Sequence, residues 1–140
     1  VVVITGATSG VGLEAARTLL AAGSDVYVTG RTLEKAQAAV ADITQGGGSG
    51  AGKAIAMELN LASLASVRSF ASKWGSEVKR PIDILAANGG LALGQDLKEP
   101  QLTEDGFELT VGTNHLGHFL LVNLLLKDLS PEARVVVTAS

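Results

Sequence analysis

Hydrophobic positions along the chain gather into five short apolar runs: VVVIT at residues 1 to 5, VYVT at 26 to 29, AIAM at 54 to 57, IDILA at 82 to 86 and RVVVT at 134 to 138. β-Branched residues dominate most of them, which predicts strands. Between the runs, apolar residues recur at three- and four-residue spacing. That spacing predicts helices from about Val11 to Ala22, Leu33 to Asp42, Leu61 to Trp74 and Thr103 to Leu129. Strands that alternate with helices through short loops fold as a parallel sheet covered on both faces, so the expected class is α/β with a doubly wound parallel sheet. One stretch, TQGGGSGAG at residues 44 to 52, breaks the alternation and is expected to be a flexible surface connection within a single domain.

Composition narrows the possible partners. The chain has 140 residues, of which 46% are hydrophobic and 18% charged, enough apolar material for a real core. Eleven basic against fourteen acidic residues give a net charge of -3 without a basic cluster, which argues against nucleic acid and a polybasic membrane anchor. A small-molecule substrate is the expected partner. With no cysteine there is no disulfide framework, thiolate metal site or cysteine nucleophile. No apolar stretch is expected to span a membrane, and the chain opens directly on a strand without a basic leader, so any targeting segment lies outside it.

The first chemical motif is TGATSGVG, residues 5 to 12, between the first strand and the first helix. Glycines at 6, 10 and 12 let the backbone turn sharply and approach a pyrophosphate, and the helix N-terminus offers it unpaired amides. The same residues also suit a plain strand-to-helix turn. The second strand leads into Arg31, with Lys35 one turn on, where a chain selecting NAD usually carries a carboxylate for the ribose 2′-hydroxyl. Two cations suit a 2′-phosphate, so NADPH is the expected cofactor, the alternative being an ordinary solvated helix start. The fourth strand ends in LAANGG, residues 85 to 90, which alone reads as a turn. His115 and His118, in GTNHLGHFLLVNLLL at residues 112 to 126, are the only histidines and stand three apart. Without a cysteine or third partner they do not make a metal site, and they are expected to be helix-packing residues.

The Gly-x-x-x-Gly-x-Gly spacing resembles that of the short-chain dehydrogenase/reductase family, which implies a Rossmann fold and an oxidoreductase. The resemblance implies that Thr5, Gly6, Thr8, Ser9, Gly10, Val11 and Gly12 cradle the cofactor. It gives Asn60 and Leu61 the adenine side, with Asn60 where the family commonly has aspartate. Asn88, Gly89 and Gly90 match the last three positions of the family's Asn-Asn-Ala-Gly segment, and Ala87 replaces its first asparagine. Asn114 matches a helical asparagine whose backbone carbonyl holds a relay water, and Ser140 matches the serine that polarises the substrate carbonyl or its substitute. The family's Tyr-x-x-x-Lys pair is expected beyond Ser140. Tyr27, the only tyrosine, has Arg31 four residues on and is expected in the sheet. Residues 1 to 140 are thus expected to be the N-terminal part of an NADP-binding domain, inactive alone.

Within the family, EPQLTEDGFELTVGTNHLGHFLLVNLLLKDL (residues 99 to 129) and LNLASLASVRSF (59 to 70) resemble the light-dependent protochlorophyllide oxidoreductases. That group reduces a ring double bond of protochlorophyllide to give chlorophyllide in the plastid. The chain departs from it in having no cysteine in the strand-four segment and a different stretch from Leu91 to Lys98. Two other readings stay open: a light-independent carbonyl reductase of the retinol dehydrogenase type, and a non-catalytic NADPH-binding protein.

Overall fold

The computed structural model describes residues 1–45, 52–92 and 99–139. Its first strand, β1 (Val2–Ile4), is apolar and buried at every position, as a strand covered on both faces must be. From it the chain alternates through α1 (Gly10–Ala21), β2 (Val26–Gly30), α2 (Leu33–Gln45), β3 (Ala54–Glu58), α3 (Leu64–Lys73) and β4 (Ile82–Ala87). A long helical run follows, made of α4 (Leu109–Val111), a π-helical turn (Gly112–Leu116), α5 (Gly117–Leu125) and a 3₁₀ turn (Leu126–Asp128), and it leads into β5 (Leu129–Val137). The five strands pair in parallel in the order β3-β2-β1-β4-β5. Winding reverses between β1 and β4, so a crevice opens at their carboxyl ends, where sheets of this kind bind ligands.

Alternation along the strands divides the core between two faces. Val2 and Ile4 of β1 join Val26 and Val28 of β2 against Ala16, Leu20, Ala39 and Ile43 of α1 and α2. Val3, Tyr27 and Leu85 point the other way, against Val67, Phe70, Trp74, Leu121 and Leu125. Tyr27 therefore sits in the core, as expected. Trp74 anchors this second face: it is fully buried, its ring lies edge-on to Tyr27 at 4.6 Å and stacks on Phe70 at 6.0 Å. Its indole N–H donates to the Arg80 carbonyl at 2.9 Å, so burial leaves no polar atom stranded.

Two helices begin later than the apolar spacing predicts, and capping explains both. Leu61 and Ala62 precede α3, because the Ser63 hydroxyl accepts from the Ser66 amide and starts the helix at Leu64. The helix then continues beyond Lys73 as a π-helical turn, Trp74–Val78, which ends at Lys79 in the left-handed region (φ 52). The fourth helix was expected from Thr103, yet residues 103 to 108 form a turn with an isolated antiparallel bridge between Leu102 and Glu108. Glu108 caps the run by accepting from the Thr110 and Val111 amides, and these bonds hold its carboxyl below the usual range. Its helical stretch also ends before Leu129, which already belongs to β5. That strand begins earlier than the predicted 134 to 138 because Pro131 and Glu132 hide it. Ile82 pairs with Leu129 and Ile84 with Arg134, so the register slips around the proline. Residues 46 to 51, within the glycine-rich connection, residues 93 to 98, most of the divergent stretch from Leu91 to Lys98, and Ser140 lie outside the described residues.

By length and composition alone the run Leu109–Asp128 could cross a membrane, which a single helix of marginal hydropathy does not establish. Its inward positions Thr113, Gly117, His118, Leu121 and Leu125 are buried in the protein, the pattern of a core helix. Replacing Trp74 by alanine is expected to lower the unfolding free energy by about 3–5 kcal/mol, measured by urea denaturation.

Candidate functional site

Two glycines in the left-handed region, Gly6 (φ 62) and Gly10 (φ 55), bend the chain after β1. Space matters as much as dihedral angle. A β-carbon on Gly6 would lie 2.5 Å from Gly89 Cα, and one on Gly12 would lie 2.6 Å from Asn88 Nδ2. The loops after β1 and β4 thus meet backbone to backbone. Ser9, the N-cap of α1, makes no side-chain cap bond, which leaves the first amides of this helix open at its positive end. A β-carbon on Gly30 would lie 2.7 Å from Thr8 Cγ2, so the residue brings the start of α2, with Arg31 and Lys35, up to the same turn.

Beneath the turn lies Thr5, completely buried. Its hydroxyl oxygen accepts from the amides of Asn88 at 2.9 Å and Gly89 at 2.8 Å. Those two donors use both lone pairs, leaving the hydroxyl proton for a partner of its own. His118 Nε2 is at 2.8 Å and the Ala86 carbonyl at 3.3 Å, so the imidazole is the better acceptor. Nε2 is therefore bare, and the ring proton sits on Nδ1, which donates to the Asn114 carbonyl at 2.9 Å. Burial pushes His118 below the ordinary histidine value, outweighing the opposite pull of that carbonyl.

Asn114 stands in the π-helical turn, a distortion that recurs at functional sites. Its amide side chain grips Leu91 twice, accepting from the Leu91 N–H and donating to the Leu91 carbonyl, both at 2.9 Å. The Asn88 side chain donates to the Thr5 carbonyl and accepts from Thr138, each at 3.2 Å. Segment Asn88–Leu91 is thereby held at both ends. Gly117 lets the long helical run close on the loop after β3, since a β-carbon there would lie 2.3 Å from the Leu61 carbonyl.

These loops enclose a cavity of about 660 Å³. The glycine-rich turn contributes Gly6, Thr8, Ser9, Val11 and Gly12, and the end of β2 contributes Arg31 and Lys35. Asn60 and Leu61 line it after β3, as do Asn88, Gly89 and Gly90 after β4. Among the described lining residues there are two cations and no carboxylate, which suits an anionic ligand. Asn60 Oδ1 accepts from the Ala62 amide at 3.1 Å, leaving the side-chain nitrogen as a donor.

Three expected site residues do not line the cavity. Thr5 and Asn114 brace its wall from behind, and Gly10 lies on the outer side of the turn; Ser140 is outside the described residues. The two histidines diverge, His115 lying exposed beside Phe119 and His118 buried. Among the described residues no cluster of three metal-ligand types exists. Sequence reasoning missed two features. His118 is a hydrogen-bonding member of the site, signalled only by its i+4 spacing from Asn114, and Thr113 lines the cavity with a buried hydroxyl that lacks a partner among the described residues.

The model of the short chain dehydrogenase family matches residues 1–140. The chain belongs to the short chain dehydrogenase family. Protochlorophyllide reductase of Chlamydomonas reinhardtii, described as chloroplastic, is 47% identical over 143 residues, covering 99% of this chain and 34% of that protein. The corresponding chloroplastic reductase of Cucumis sativus is 44% identical over 146 residues, covering 99% of this chain and 35% of its own length. The chain thus spans about a third of these curated relatives. A solved short chain dehydrogenase of Burkholderia cenocepacia in complex with NADP is 29% identical with a TM-score of 0.78, covering 99% of this chain and 54% of that one.

The buried imidazole gives this family member a pH signature. His118 resists protonation when folded, so below about pH 6.5 the unfolded chain takes up a proton that the folded chain does not. Stability should be full above that pH and decline as pH falls from 7.5 to 5.5. Urea midpoints at these two values should differ less in His118→Gln than in the wild type.

Proposed function

We propose that the full protein is an NADPH-dependent oxidoreductase that reduces protochlorophyllide to chlorophyllide under light, in a plastid, with residues 1–140 as the N-terminal part of its NADP-binding domain. The observation that carries the cofactor is the pairing of Arg31 and Lys35 in a cavity whose described lining has no carboxylate. A guanidinium matches a phosphate dianion in fork geometry, whereas the 2′-hydroxyl of NAD would leave both cations without a partner. Support for the substrate comes from relatives named for protochlorophyllide across nearly the whole chain, and support for the compartment from their description as chloroplastic.

Position in the cavity and the family resemblance together support the following roles. Open amides at the start of α1 take the pyrophosphate, with the Thr8 and Ser9 hydroxyls beside them. Arg31 and Lys35 take the 2′-phosphate. The Asn60 nitrogen and the Leu61 side chain take the adenine, one as donor and the other as apolar wall. Asn88, Gly89 and Gly90 form the floor under the nicotinamide half, where glycine permits backbone contact. When bound, NADPH supplies the hydride. The chain supplies orientation and exclusion of water, and the resemblance to the family gives Ser140, outside the described residues, the polarising of the reacting substrate group. Asn114, whose carbonyl already accepts from His118, offers its second lone pair to a proton-carrying water.

The absence of cysteine from the strand-four segment, where this chain has Ala87-Asn88-Gly89-Gly90, favours a second reading: a light-independent carbonyl reductase acting on a retinoid-type compound. Illumination separates the two. With NADPH and protochlorophyllide, the full-length protein should give the red-shifted absorbance of chlorophyllide only after a flash; NADPH binding with no such shift, and turnover of carbonyl substrates in darkness, would reject the pigment reading. NADPH binding with neither activity would leave a non-catalytic cofactor-binding protein. Arg31→Ala should weaken NADPH binding roughly ten- to a hundredfold, the worth of one charged hydrogen-bonded contact, while NADH binding changes little, measured by nucleotide fluorescence titration.

A further inference from the structure

We infer that His118 is a positioning residue: a neutral imidazole of fixed tautomer that sets the hydroxyl rotor of Thr5 and, through it, the place of the Asn88 and Gly89 backbone at the cavity floor. The effect on cofactor binding rests on the dinucleotide reading above, whereas the positioning is a property of the protein without ligand.

Counting donors and acceptors fixes the protonation state. Thr5 Oγ1 already accepts two N–H groups, at 2.9 and 2.8 Å. A hydroxyl oxygen has no third lone pair. If Nε2 carried a proton, in the other tautomer or in the imidazolium, an N–H would face this filled oxygen at 2.8 Å, and one of the two amide bonds would have to break. Only the form with bare Nε2 and protonated Nδ1 satisfies every atom, and it completes the Asn114 carbonyl as well.

The same ring links both anchors of segment 88–91. On one side it orients Thr5, which holds the Asn88 and Gly89 amides; on the other it bonds Asn114, whose side chain grips Leu91 twice. Gly89 is the residue that meets Gly6 of the glycine-rich turn, so a shift of the segment passes directly to the other wall of the cavity. An apolar side chain in place of His118 would fill the space and leave the Thr5 proton and the Asn114 carbonyl without this partner. Packing alone does not require both nitrogens to be engaged at 2.8 and 2.9 Å.

Two substitutions separate the halves of the link. In His118→Gln the amide oxygen reaches the position of Nε2 and still accepts from Thr5, but the side chain no longer donates to the Asn114 carbonyl. In His118→Asn the amide nitrogen takes the place of Nδ1 and Thr5 loses its imidazole acceptor, keeping only the Ala86 carbonyl at 3.3 Å. The experiment uses the full-length protein labelled with ¹⁵N-histidine, with His115→Gln assigning the two rings. At pH 7 the wild type should show His118 protonated on Nδ1 only. Hydrogen exchange at the Asn88 and Gly89 amides should stay within about threefold of wild type in His118→Gln and rise about tenfold in His118→Asn, with the NADPH Kd of the latter rising about three- to tenfold. Exchange at Val67 and Phe70 should not change in either, whereas a general loss of packing would accelerate it. An Nε2-protonated or doubly protonated ring at pH 7 would overturn the inference, and this reading of the wild type stands even if neither variant folds. Equal exchange at Asn88 and Gly89 in the two variants would overturn it too. Failure of the wild type to bind NADPH would reject the functional reading instead, while the tautomer and exchange results would still decide the role of His118.

Discussion

The Thr5 hydroxyl is the interaction on which the rest of the site depends. One oxygen at the end of β1 takes two amides from the loop after β4 and gives its proton to an imidazole on the long helical run. Those elements lie 83 to 113 residues away in sequence. A buried oxygen with every valence engaged contributes stability and also direction, because each partner must sit within hydrogen-bond range of that one atom. Thr29 acts similarly one strand over, donating from its buried hydroxyl to the Ile4 carbonyl at 3.1 Å. Polar groups at the strand ends thus fasten a core whose side chains are mostly apolar.

Above this fastening the chain can afford open chemistry. The loops after β1 and β4 touch through glycines, so the cavity wall there is mostly backbone, and backbone amides supply donors without side-chain bulk. Among the described lining residues charge enters from one side, at Arg31 and Lys35 beside the end of β2. An anionic ligand with phosphate groups spaced along its length matches that arrangement: amides at the glycine-rich turn and cations one strand away. The π-helical turn adds the third wall, presenting Thr113 to the cavity and Asn114 to Leu91 within one distorted turn of helix.

Much of this was legible in the sequence because it is local. The β-branched runs and the helical spacing between them correctly implied a doubly wound sheet, and TGATSGVG and Arg31 marked the cavity by type and order. Helix starts were less legible, since Ser63 and Glu108 act as caps through side-chain bonds that apolar periodicity does not register. β5 was foreshortened because Pro131 interrupts its pattern where the register slips. The role of His118 was hidden for a different reason. A histidine facing a core reads as packing until its partners are known, and its main partner, Thr5, is remote in sequence. The division of the expected cofactor residues into those that line the cavity and those that brace it, Thr5 and Asn114 among the latter, likewise needs three dimensions.

The most direct measurement is a crystal structure of the full-length protein with NADP bound. The expected result has the 2′-phosphate within hydrogen-bond distance of the Arg31 guanidinium, the pyrophosphate on the amides that open α1, and the nicotinamide half over Asn88–Gly90. A dinucleotide bound away from the glycine-rich turn, or one whose 2′-phosphate points away from Arg31 and Lys35, would contradict it.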